Sequence, residues 1–226
     1  MSLRVGINFG NTVLAHRDRN GRPAGIAADL AAELARRLDV PIEFVTYDAA
    51  GRMADGAKAG AWDVAFLAAD PDRANEIAFT EPYLEIESTY VVPADSHLRT
   101  PSDVDREGLR IALSEKSAYD LYLTRNLKHA RLVRAPGPAA SVELFLRENL
   151  DALAGIRPML LDVVRSHPGL RVLDGGFMAV QQAIGTPRGG EVPAKFLQEF
   201  VRDIKVSGFV AKIIQNSGIP GIAVAP

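Results

Sequence analysis

Residues 62–92 read WDVAFLAADPDRANEIAFTEPYLEIESTYVV, and the fold turns on how this stretch is read. Val64-Ala65-Phe66-Leu67 is a short apolar run, which predicts a buried strand. Asp70 and Pro71 stop it and predict a helical turn. Asp is a preferred N-cap, and Pro suits the first helical position, where its missing N–H costs nothing. Arg73 then falls in the first turn of a helix, where a cation opposes the macrodipole. An anion docked there removes the conflict, since free backbone N–H groups and a guanidinium would point at the same oxygens. The alternative is a surface arginine in a loop, paired with Asp70, Asp72 or Glu76.

Outward from this stretch, strands alternate with helices. Leu3 to Asn8 predicts a first buried strand, with a loop at Phe9-Gly10-Asn11-Thr12 and a turn at Asn20-Gly21. From Gly25 to about Leu38, Ile26, Leu30, Leu34 and Leu38 recur every four residues, so one helix face is apolar. Pro41 to Tyr47 is β-branched and aromatic, a second strand, followed by a helix around Arg52 to Ala59. Such alternation implies a parallel sheet flanked by helices. After Ser88–Val92, another strand, the alternation restarts. Strands are expected at Leu109–Leu113, Ala130–Arg134, Leu150–Ala154, Leu170–Leu173 and Met178–Thr186. Helices are expected from Pro101, then at Ala118–Leu127, Ser141–Glu148, Pro158–Ser166, Phe196–Ile204 and Phe209–Gln215. The tail from Ser217 to Pro226 is punctuated by Gly and Pro and reads as irregular.

With 226 residues, 47% hydrophobic and 24% charged, the chain can bury one large core or two small ones. A net charge of −2 gives no footprint for nucleic acid or an anionic membrane. Without cysteine there is no disulfide, thiolate nucleophile or cysteine-based zinc site. No apolar run reaches the length of a membrane span. The four histidines, His16, His97, His129 and His167, lack metal-ligand spacing and read as surface residues. No cofactor or metal is expected.

Arg73, then Ala78-Phe79-Thr80-Glu81-Pro82-Tyr83, then Ser88-Thr89-Tyr90-Val91-Val92, resembles the hinge-proximal segment of family 3 extracellular solute-binding proteins, the amino-acid-type receptors of ABC importers. Gly25-Ile26-x-x-Asp29-Leu30 and Lys58-Ala59-Gly60-Ala61-Trp62-Asp63 match the family as well, in the same order and spacing. The resemblance implies an α/β, two-lobe, type II periplasmic-binding-protein-like fold. Each lobe is a mainly parallel sheet flanked by helices, and two crossover strands form the hinge. Lobe one would be discontinuous, residues 1–88 and 186–226, and lobe two residues 89–185, with a ligand between them. It further implies a monomer, an ABC permease as partner, and a periplasmic location. Met1-Ser2-Leu3 runs straight into a strand with no basic, apolar leader, which fits either a removed signal peptide or a protein that is never exported.

By resemblance, Arg73 clamps the ligand's carboxylate. A charge-assisted bond of this kind, shielded from water, contributes about 1.5–3 kcal/mol. Ser117, preceded by Lys116, stands where the family has a small-hydroxyl pair that grips the same carboxylate. From local sequence alone, Ser117 is a plain N-cap three residues before Asp120. Departures from the pattern bear on the ligand. Ile156 stands where an aspartate commonly receives an α-amino group, Arg157 beside it adds positive charge, and Ala68 replaces a threonine. Asn11 and Ala49 replace aromatic walls. A desolvated ammonium without a carboxylate partner would cost several kcal/mol. The expected ligand therefore keeps its carboxylate and lacks a free α-amine: an organic acid, a dicarboxylate or a modified amino acid. Other amine partners would be Asn8, Asp70, Glu115 or Gln182. Asn8, Asn11, Gln181 and Gln182 are secondary contacts, or satisfy backbone groups. Tyr83 reads as a hinge-region core residue, Tyr119 and Tyr122 as packing.

No P-loop, G-x-S-x-G elbow or nucleophile–base set is present. A non-enzymatic solute receptor is the leading reading. The alternative is a cleft enzyme on the same scaffold, a cyclohexadienyl (prephenate or arogenate) dehydratase-like lyase with Glu115 or Asp70 as general acid. A regulator's effector domain ranks last, since no helix-turn-helix precedes the first strand.

Overall fold

The computed structural model describes residues 2–189 and 192–226. In chain order, β1 (Leu3–Asn8) leads to a small hairpin, β2 (His16–Arg17) and β3 (Pro23–Ala24). Then come α1 (Ile26–Leu38), β4 (Ile42–Tyr47), α2 (Ala50–Lys58), β5 (Val64–Ala68), β6 (Ile77–Phe79) and β7 (Leu84–Pro93). After a 3-10 turn at Pro101–Asp103 follow β8 (Arg110–Ser114), α3 (Ala118–Asn126), β9 (Arg131–Ala135), α4 (Pro138–Arg147), β10 (Ala152–Ile156) and α5 (Arg157–Ser166). The chain closes with β11 (Leu170–Val172), β12 (Met178–Pro187), α6 (Ala194–Val206), α7 (Phe209–Ser217) and β13 (Ile222–Val224).

These elements form two compact units. The first takes the chain up to Glu85 and from Gln181 onward; the second is Ile86–Val180. The chain passes from one to the other inside β7 and back inside β12.

In the first unit, β4, β1 and β5 run parallel, with Val5 opposite both Phe44 and Val64. β12 adds antiparallel to β5, setting Gln182 against Ala68 and Ile184 against Phe66, and β6 pairs with β12. The four-residue apolar repeat of α1 buries Ile26, Leu30 and Leu34 completely or nearly so. Each such side chain contributes about 1.5–3 kcal/mol by leaving water. Trp62, just before β5, anchors a second cluster with Met53, Ala57, Leu67 and Ile77, and its indole N–H donates to the Met53 carbonyl at 2.9 Å. The expected irregular tail contains β13. Ala225 N–H donates to the Tyr83 carbonyl, and Lys205 Nζ to that of Pro226, at 3.3 and 2.8 Å.

In the second unit, β10, β8 and β9 are parallel, and β7 and β11 are antiparallel additions. Leu153 lies opposite Val91 in β7, and the core joins Val91, Ala112, Phe145, Leu153 and Leu160. α4 begins at Pro138, three residues earlier than its apolar pattern suggests, because Pro fits the first helical position. In each unit the parallel strands end on candidate residues: β1 on Asn8 and β5 on Ala68, β8 just before Lys116-Ser117, β10 on Ile156.

Candidate functional site

Arg73 is 6% exposed and is the only lysine or arginine in the buried class among the described residues. It is not the exposed loop arginine of the alternative reading. Its Nη1 donates to the Ala68 carbonyl at 2.9 Å. Burial pushes the guanidinium down to about 10, against the pull of Asp70, Asp55 and Asp72. It therefore stays charged at neutral pH.

The expected helix around it does not form. Residues 71–76 are a series of hydrogen-bonded turns. The Asp70 carbonyl accepts the N–H groups of Arg73 and Ala74, and the Arg73 carbonyl those of Glu76 and Ile77. The Asp70 side chain accepts the Asp72 N–H at 2.9 Å. Only six residues separate Asp70 from β6, too few to repay helix nucleation. Arg73 is thus positioned by turns and by the end of β5, not by a helix N-terminus.

The other first-unit candidates gather at the same strand ends. Ala68 contributes its carbonyl rather than a side chain. Asn8 is 9% exposed, and its Oδ1 accepts the Gly10 N–H at 2.9 Å. Gly10 passes so close to β4's end that a Cβ there would lie 2.1 Å from the Asp48 carbonyl oxygen. Only glycine fits this turn. Among the described residues, the buried Asn11 Oδ1, Gln181 Oε1 and Gln182 Oε1 have no hydrogen-bond partner. Gln182 itself is 3% exposed, directly across from Ala68. Asp70 is buried as well.

In the second unit the Lys116-Ser117 turn is held by Asp120, which the sequence offered only as the residue three after the Ser117 cap. Asp120 is buried; its carboxylate accepts the Lys116 N–H at 2.8 Å and Arg134 Nε at 3.0 Å. Lys116 is exposed with φ +54, a left-handed conformation that this bond stabilises. Ser117 caps α3, its Oγ accepting the Asp120 N–H at 3.1 Å. Tyr119, also buried, has its phenol raised to about 12 by desolvation, opposed by hydrogen bonds with Ser117 and Ser114. The local N-cap reading of Ser117 is what the structure contains.

Ile156 is buried at the end of β10, opposite Ser88, and is the N-cap of α5. Arg157 does not add uncompensated positive charge. Its Nε pairs with Glu87 at 2.5 Å and its Nη2 reaches the Gly175 carbonyl at 2.8 Å. Two residues 70 apart give no local signal of such a pairing. Tyr83 is fully buried against Phe66, and Tyr122 stacks on Phe177, so both pack.

The model of the bacterial extracellular solute-binding proteins, family 3, matches residues 3–217. The chain belongs to that family. A solute receptor for L-cysteine of Neisseria gonorrhoeae has a similar structure, with TM-score 0.83 and 18% identity over 97% of this chain and 91% of that one. The cysteine-binding protein of Campylobacter jejuni gives 0.80 and 20%, over 96% and 89%. An ancestral amino acid-binding protein, a precursor of cyclohexadienyl dehydratase, gives 0.78 and 19%, over 95% and 94%. Comparison with curated proteins returns no match. The family and its fold are those the Arg73–Val92 segment implied. As a family 3 chain it has a solute-binding role. Among the described residues, no helix is long and apolar enough to cross a membrane.

Proposed function

We propose that this chain is the receptor of an ABC importer and that Arg73 clamps the carboxylate of a small organic acid or modified amino acid. The observation that carries the reading is the burial of Arg73. A guanidinium held out of water at the end of a parallel strand, fixed there in part by its bond to the Ala68 carbonyl, presents a pre-oriented planar set of donors. Bidentate pairing with a carboxylate would supply orientation as well as energy. Family membership supports a transport role for this chain, in which a permease would be its partner and its place of work extracytoplasmic.

A thermal-shift screen over organic acids and amino acids tests this. A ligand at a hundred times its dissociation constant stabilises by about 2.7 kcal/mol, which raises the melting temperature by roughly 5–11 °C at this size. A screen in which no carboxylate shifts the melt would reject the reading. The dehydratase-like alternative draws on the likeness to the dehydratase precursor and on buried Asp70 as an acid. Turnover of prephenate or arogenate by pure protein would establish it instead.

A further inference from the structure

The β2–β3 hairpin carries Asn20-Gly21 at its tip, residues 18–22. Of the seven asparagines, Asn20 is the one that glycine follows. Both residues of the pair are exposed. Gly21 has φ +76, and nothing lies within 4 Å of where its Cβ would stand. Its backbone nitrogen is therefore shielded neither by a side chain of its own nor by a neighbour's. The tip is built around Asp18. The Asp18 Oδ1 accepts the N–H groups of Asn20 and Arg22, each at 2.8 Å, and the Asp18 carbonyl accepts that of Gly21 at 3.0 Å. Asn216, which precedes Ser217, is exposed too, but its backbone is held inside α7.

We propose that Asn20 is a site of spontaneous deamidation, and that the Asp18 turn sets its rate. The Gly21 amide gives its proton to solvent hydroxide, and its nitrogen attacks Cγ of the Asn20 side chain. The N–Cγ bond forms, the Cγ–Nδ2 bond breaks, and the side-chain nitrogen leaves as ammonia, taking a proton from water. Water then opens the cyclic imide. Cleavage of the new bond gives aspartate. Cleavage of the original peptide bond gives isoaspartate, with the main chain running through Cβ and Cγ. Arg19 and Arg22 flank the pair, and their positive charge favours the nitrogen anion. The bond from Gly21 N–H to the Asp18 carbonyl opposes the first step, because that proton must be released. Exposed backbone bonds at a hairpin tip open at small cost, so the turn slows the reaction without preventing it. Isoaspartate inserts one main-chain atom between the two N–H groups that the Asp18 Oδ1 holds, and brings a carboxylate among Arg17, Arg19 and Arg22.

Peptide mapping by mass spectrometry, with isoaspartate detected by methyltransferase labelling, tests this on the folded chain kept in warm, mildly alkaline buffer. Asn20 is expected to convert at least tenfold faster than any other asparagine, with isoaspartate the larger product. Gly21→Ala should slow conversion at least fivefold. Asp18→Ala, folded by circular dichroism, should speed it at least threefold. Asp18→Asn, which loses the charge but keeps the acceptor, should stay within twofold of the unaltered chain. Retention of the Asn20 amide, whether or not another asparagine converts, overturns the proposal. So does conversion in Gly21→Ala at the unaltered rate, conversion in Asp18→Ala no faster than in the unaltered chain, or equal acceleration in Asp18→Asn and Asp18→Ala.

Discussion

Replacing Asp120 by alanine should destabilise the protein through three contacts at once. The Lys116 N–H would lose a charged acceptor at 2.8 Å, while still held in a left-handed turn. A backbone bond to a charged group is worth about 1.5–3 kcal/mol. The Arg134 pair adds at most about 1 kcal/mol, since that side chain is 38% exposed and water screens it. The bond from Thr124 Oγ1 to the carboxylate, at 3.3 Å, is a minor third contribution. The sum, about 2–4 kcal/mol, predicts a melting temperature lower by roughly 4–16 °C. Far-UV circular dichroism is the appropriate readout, because Trp62, the single tryptophan, lies in the other unit. Asp120→Asn keeps an acceptor for Lys116 and should lose about half as much. A double-mutant cycle with Arg134→Ala isolates the ion pair. If Asp120→Ala melts within a degree of the unaltered protein, or if the cycle returns a coupling above about 3 kcal/mol, the assignment of cost to the turn is wrong.

Trp62→Phe removes the buried bond from the indole to the Met53 carbonyl, so chemical denaturation should show a loss of about 0.5–1.5 kcal/mol. Gly10→Ala forces a methyl against the Asp48 carbonyl and should displace the loop beside Asn8; carboxylate affinity should fall with stability, whereas unchanged affinity would separate that loop from the site. Glu33 is lowered to about 2 by hydrogen bonds from Arg36 and Arg37. Its folded value lies below its ordinary 4.5, so its stabilisation is present above pH 4.5 and is lost as pH falls toward 2. Glu33→Gln should flatten melting temperature against pH over that window. Arg73 titrates near 10, so affinity for a carboxylate should be flat from about pH 6 to 9 and fall above about pH 10; a fall near pH 7 would point to a histidine instead.

Much of the architecture was legible because periodicity is a local property. Ile26, Leu30 and Leu34 mark one helix face, and Val64 to Leu67 form an apolar run short enough to be a strand, and both are found so. The turn at Arg73 misled for an equally local reason. Asp-Pro is a genuine helix-start signal, but β6 claims the chain six residues later. β13 escaped notice because a three-residue strand is made by its pairing rather than by its composition. At the candidate site, the residue types were readable and their commitments were not. Asp120 with Arg134 and Glu87 with Arg157 are long-range pairs, and neither leaves a trace in spacing. Gln182 gained weight only when the register placed it opposite Ala68.

Calorimetric titration of the strongest carboxylate from the screen into Arg73→Lys and Arg73→Ala tests the clamp most directly. Removing a charge-assisted bond of about 1.5–3 kcal/mol corresponds to roughly a tenfold to 150-fold loss. The lysine variant should fall within that range and the alanine variant should show no measurable binding, with both folded by circular dichroism. A folded Arg73→Ala that binds as tightly as the unaltered protein would contradict the account.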